Sequence, residues 1–250
     1  MTLLSIAQQI CRETGVAEPS SIVSNADETA VRLLSILQTS GRQLAAGKIT
    51  LPSGYTFQHD WTALIKEQTF STANGTATYA LSGSGSIITD TDFDRFVAGT
   101  RWDRTNKNPV RLYSPAEWQR SKSGVVTQSS VTKYARKRGR FLVIDPTPTA
   151  TETLVFEYVS TKWCQTSGGT GQATWQADTD TGVVDEDLIM LDGKWRFLNR
   201  IGESYQEEQK EFLEAVALKA GADGGRDTIN FTGSRYITFG ENIPEGSWSI

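Results

Sequence analysis

One histidine and two cysteines in 250 residues leave little from which to build a catalytic or metal site. A Ser-His-Asp or Cys-His arrangement has only His59 to run through, and a set of His and Cys ligands would recruit nearly every one the chain owns. No catalytic residue, metal site or cofactor is therefore expected. Cys11 and Cys164 are too few for a disulfide framework and lie in segments of different character, so a reduced intracellular state is expected. Long apolar runs are also missing. The longest stretch without a formal charge, Gln68 to Thr89, is mostly Ser, Thr, Gly and Ala, whose hydroxyls would go unsatisfied in hydrocarbon; no membrane partner is expected. Met1 to Cys11 carries no Lys or Arg and is broken by Thr2, Ser5, Gln8 and Gln9, unlike a secretory signal.

Apolar residues at 38% and charged residues at 22% are enough for one large or two small domains with real cores. The net charge of -4 hides an asymmetry. Residues 101–150 carry eleven Lys or Arg against three Asp or Glu, whereas residues 151–250 carry eight against seventeen. Such polarity suits partners of opposite sign, or copies of the same chain.

The first fifty residues predict two helices. Leu3, Leu4, Ala7, Ile10 and Cys11 fall at helical spacing and stop at Gly15, with Pro19 beyond. Asn25 or Asp27 caps the second, whose stripe is Leu33, Leu34, Leu37, Leu44 and Ala45; Gly41 lies on that stripe and suggests close approach of another backbone. From Ile49 to about Trp163 the chain reads as β. A type I′ hairpin is predicted over Phe70 to Leu81 around Asn74-Gly75, with further strands at 93–98, 130–137, 139–144 and 153–158. Ser114-Pro115-Ala116-Glu117 is a capping box opening a short helix that carries Trp118. A third helix has Asp185, Glu186 and Asp187 in its first turn, Leu188, Leu191, Trp195 and Leu198 on one face, and Gly202 at its end. The fourth runs from Glu203 or Ser204 to Gly221, with Glu207, Glu208, Glu211 and Glu214 outward.

The expected fold is therefore α+β: an antiparallel four-helix bundle from residues 1–48 and 183–226, a β-rich insertion at 49–182, and an extended C-terminal tail at 227–250. The tail alternates Ile229, Phe231, Tyr236, Ile237 and Phe239 with polar residues and needs a surface to lie on.

Several constellations imitate chemistry and then lose it. Asp90, Asp92 and Asp94 open like a calcium loop, but Arg95 and Arg101 stand where the turn Gly and the bidentate Glu belong. Asp178 and Asp180 fail similarly. Gly83 and Gly85 lack the rest of a phosphate loop, and His59 beside Asp60 has no nucleophile motif to serve. Lys133, Arg136, Lys137, Arg138 and Arg140 surround Tyr134 and Phe141, a basic patch with interleaved aromatics. It reads as the solvated face of a hairpin turning at Arg138-Gly139, as a nucleic-acid-binding module, or as a surface for the acidic helices of a neighbour or another protein. A hydrolase or lectin built on the aromatic β region is least favoured, for no carboxylate pair stands out.

In order along nearly the whole chain, certain stretches resemble the head-to-tail adaptor (connector) proteins of tailed bacteriophages, the group that includes tail tubular protein A of short-tailed phages. They include Leu3-Leu4-Ser5-Ile6-Ala7 with Cys11-Arg12-Glu13 and Gly15-Val16, and residues 42–47. Phe70 to Leu81, Asp92-Phe93, Trp102, Ser114 to Trp118 and Ile144-Asp145-Pro146-Thr147-Pro148 follow. Phe156-Glu157-Tyr158, Ala177-Asp178-Thr179-Asp180, and Trp195-Arg196 through Gly202 and Tyr205 to Gly225 complete the run. The Gly/Ser segment 82–89 departs from the pattern.

The resemblance implies a structural virion protein with no catalytic residues. It implies a ring, commonly dodecameric, that docks on the portal protein and links it to tail or nozzle proteins. Genomic DNA would pass through its channel without sequence-specific binding. Assembly in the host bacterial cytoplasm is implied as well.

Overall fold

The computed structural model describes residues 1–50, 56–124 and 133–224; the candidate partner residues Ile229, Phe231, Tyr236, Ile237 and Phe239 lie outside the described residues. Five α-helices occur among the described residues: α1 (Leu3–Thr14), α2 (Glu28–Ala46), α3 (Pro115–Ser123), α4 (Glu186–Ile201) and α5 (Gln206–Ala222). Their ends follow from local chemistry. Thr2, Asp27, Ser114 and Asp185 each accept backbone N–H groups left free in a first turn, and Gly15, Gly47 and Gly202 turn left-handed to close α1, α2 and α4. Ser114 and Glu117 complete the capping box of α3.

The strands are β1 (Lys48–Thr50), β2 (Thr56–Gln58), β3 (Ile65–Ser71), β4 (Thr78–Ala80), β5 (Phe93–Phe96), β6 (Trp102–Asp103) and β7 (Asn108–Pro109). They continue with β8 (Arg111–Leu112), β9 (Tyr134–Arg138), β10 (Phe141–Asp145), β11 (Thr153–Ser160), β12 (Cys164–Gln165), β13 (Gly171–Gln172) and β14 (Thr181–Gly182). β11 organises the larger sheet: one edge pairs antiparallel with β3, and the other is shared by β5 and β6, with β7 beyond β6. A second sheet runs in the order β4-β10-β9-β8, antiparallel except for β8 with β9. β1 pairs with β2, and β12 lies between β13 and β14.

The chain is α+β, but the expected antiparallel four-helix bundle is not what forms. α1, α2 and α5 each pack on α4, and the rest of the helical core is supplied by the β region. Trp61, Leu64, Val159, Trp163, Cys164 and Trp175 share one buried cluster with the apolar faces of α1, α2 and α4. α5 adds a single fully buried side chain, Val216, because glutamates flank its apolar positions and leave too narrow a stripe. Gly41 does permit a close approach, though of an indole and not of a backbone: a Cβ there would lie 2.1 Å from the Trp163 ring.

The predicted hairpin over Phe70 to Leu81 is likewise absent. β3 pairs with β11 and β4 with β10, so its two arms belong to different sheets. The Gly75 N–H donates to Pro148 O at 2.9 Å, and the Tyr79 hydroxyl accepts from Ala73 N while donating to Thr76 O. Those bonds shape a connection between sheets. Both arms face a second buried cluster that includes Phe70, Tyr79, Leu81, Ile88, Leu142 and Phe156.

Candidate assembly surfaces

The two faces of the β4-β10-β9-β8 sheet differ in chemistry. Tyr79, Leu142, Ile144 and Ala135 point into the core, so the alternate positions Arg136, Arg138, Phe141 and Val143 point the other way. The parallel register Arg111↔Tyr134 adds Arg111 to that outer face. Tyr134 stacks on Tyr113 with ring centroids 4.3 Å apart, and Lys122 of α3 pairs with Asp145, so α3 and its lead-in cover one end. At the open end Arg138 and Arg140 are exposed, Arg140 lying over the Phe141 ring at 5.1 Å. Arg111, Arg136, Arg138 and Arg140 have no carboxylate partner among the described residues, and Arg136 Nε is buried without a hydrogen bond.

Two lysines of the sequence-defined patch stand apart from this surface. Lys137 is on the core-facing side of β9, where its ammonium donates to Asp94 O at 3.3 Å and sits 4.9 Å from the Phe93 centroid. Lys133 is interior, 2% exposed, and ion-paired with Asp103 at 2.9 Å and Glu152 at 2.7 Å. Sequence spacing gave no hint of this, since Asp103 lies 30 positions away. Arg111 was missed for the converse reason: it joins the patch only through a parallel pairing with no sequence signature. The Gly/Ser segment borders the same turn. Leu81 N donates to Arg140 O at 2.8 Å, and Ile88 is wholly buried, pinning the far end of the segment.

The carboxylates that imitated metal ligands are occupied by protein donors. Buried Asp92 accepts from Lys66, the Tyr158 hydroxyl and the Ser160 hydroxyl; Asp94 pairs with Arg95. Asp178 accepts from Ile22 N and Val23 N, and Asp180 from Gln176 N and Ala177 N. No cluster of three or more His, Cys, Asp or Glu suited to a metal occurs among the described residues.

His59 does not pair with its neighbour Asp60, whose carboxylate takes Arg95. Its Nε2 meets Asp223 at 3.0 Å, and the same carboxylate accepts both the amide and the hydroxyl of Thr62. The hydroxyl bonds the carboxylate and leaves the imidazole aside, so the trio anchors the end of α5 and is no proton relay. Burial pushes both thiols up, Cys164 to about 12, which keeps them protonated and unreactive near neutral pH.

The acidic counterpart is α5. Glu207, Lys210, Glu211, Glu214, Ala217 and Leu218 form its exposed ridge, on which Lys210 reaches Glu214 only at 3.9 Å and Leu218 is 76% exposed. Glu208, predicted outward, is half-buried. None of the helices among the described residues is long and apolar enough to cross a membrane.

A cationic sheet face and an acidic helix ridge, both carried on a well-anchored α+β body, are the equipment of an assembly component. The chain belongs to the SU10 adaptor protein family, whose model matches residues 1–231. That membership supports a structural head-to-tail adaptor of a phage, hence a virion component, and suggests a role without catalysis. No curated protein matches the chain.

Proposed function

We propose that this adaptor forms a dodecameric ring beneath the portal and joins portal to tail or nozzle proteins around a DNA channel, as in the group that includes tail tubular protein A. The family match over residues 1–231 carries the reading. The two oppositely charged exposed surfaces support contact between copies. Portal or a neighbouring subunit is met by the tail at 227–250 through Ile229, Phe231, Tyr236, Ile237 and Phe239. DNA passes without sequence-specific contacts, and assembly takes place in the host cytoplasm.

The test is imaging and native mass measurement of the protein mixed with the portal from the same phage. A ring on the portal vertex is expected; a protein that never joins the portal and is missing from virions overturns the reading. Deleting residues 227–250 is expected to leave the fold intact by circular dichroism while abolishing portal capture.

A further inference from the structure

We propose that the outer face of the β4-β10-β9-β8 sheet is a carboxylate-binding surface whose partner is the acidic ridge of α5 on a second copy of this chain. The inference rests on the adaptor reading for the presence of neighbouring copies and deepens it by naming the surfaces that meet.

The cations come first. Arg111, Arg136 and Arg138 share one face, none has a carboxylate partner among the described residues, and all are arginines, whose planar fork grips carboxylates in pairs of hydrogen bonds. The Arg136 Nε, buried, has no acceptor among the described residues, so no hydrogen bond there ties its guanidinium to the body of the protein. Among the described residues the one carboxylate on the strands of this face, Asp145, is taken by Lys122. Three glutamates of α5, Glu207, Glu211 and Glu214, are exposed and nearly unpaired, on a helix with a single buried side chain.

Spacing agrees with charge. Residues two apart on a strand repeat every ~6.6 Å, which sets Arg136 from Arg138. Residues four apart on a helix repeat every ~6 Å, which sets Glu207 from Glu211. A helix laid along β9 therefore offers a carboxylate to each arginine in turn. The two patches are different surfaces of one molecule, so the contact is head-to-tail and repeats from copy to copy.

A DNA backbone would also suit the arginines, but it would leave the α5 ridge without a partner, whereas the second copy satisfies both surfaces at once.

The test is charge exchange read by sedimentation at low and high salt. Arg111→Glu with Arg138→Glu, both exposed positions, is expected to weaken self-association by about tenfold or more with an unchanged thermal melt; Glu207→Lys with Glu211→Lys should do the same. Mixing the two variants should restore association, because each contact in an alternating assembly again joins opposite charges. A wild-type chain that stays monomeric at low salt, exchanged variants that assemble like wild type, or a mixture that does not recover would each overturn the proposal. So would binding of a short DNA duplex that the arginine changes abolish while self-association is untouched. The adaptor reading fails separately, through absence from virions.

Discussion

Lys133 places an ammonium where almost no water reaches it, between Asp103 and Glu152. Burial alone would push its pKa down, but hydrogen bonds to Glu152 and Asp103 outweigh that and raise it. For Asp103 burial pushes the pKa up, and hydrogen bonds from Asn106 and Lys133 hold it below its ordinary value; Lys66, Ser160 and Tyr158 do the same for buried Asp92. The pH windows follow. A depressed carboxyl contributes stability that is complete above its unfolded value, 3.8, and lost as pH falls through the folded one. The raised lysine contributes below 10.5 and loses that contribution as pH rises through its folded value. Urea titrations should therefore find stability level through neutrality and falling below 3.8, with a shallower acid fall in Asp103→Asn. Lys133→Met strands two carboxylates and is expected to cost about 3–5 kcal/mol. In the sequence this lysine looked like one of five patch cations, because charge runs are visible along a chain and the carboxylates that recruit one member inward are not.

Helix ends were the most legible elements, since a cap is a short-range bond whose residues are adjacent: Asp27, one of two candidates, and the Ser114/Glu117 box cap where spacing put them, while Asp185, read into the first turn, is itself the cap. Strand partners were not legible. Asn74-Gly75 favours a hairpin locally, yet β11 and β10 offer the flanking arms partners with buried faces, and tertiary pairing overrides the turn preference. The bundle failed for a related reason: periodicity identifies helices with apolar faces but not what covers them, and here Trp163 and Trp175 close the core. Two glycines separate these effects. Ala for Gly in a helix gains up to about 1 kcal/mol in propensity. At Gly193 the added Cβ meets the movable ends of Leu37 and Ile10 at 2.8 and 2.9 Å, so Gly193→Ala should be close to neutral. At Gly41 it meets a rigid ring at 2.1 Å, and Gly41→Ala should lose about 1–3 kcal/mol net in thermal melts.

The two buried clusters of the molecule share β11. Leu154, Phe156 and Tyr158 belong to one and Val159 to the other, so neither cluster can lose its order without disturbing the strand they hold in common. Urea unfolding followed by far-ultraviolet circular dichroism and by tryptophan fluorescence should therefore give coincident transitions; separated midpoints would show that the clusters unfold independently. The head-to-tail adaptor class was readable in the order of the stretches along the chain; the family model supports that class and not the likeness to tail tubular protein A. The cationic face was readable only in part, for it depends on a sheet that no local pattern specifies. The placement of β11 also has a mechanical side. Pulled along its own axis, the strand would have to break its seven-residue ladder with β3 and its pairings with β5 and β6 in shear, many bonds at once and not one after another. A body tied together in this way resists stretching along that direction, a useful stiffness in a structural adaptor of a phage.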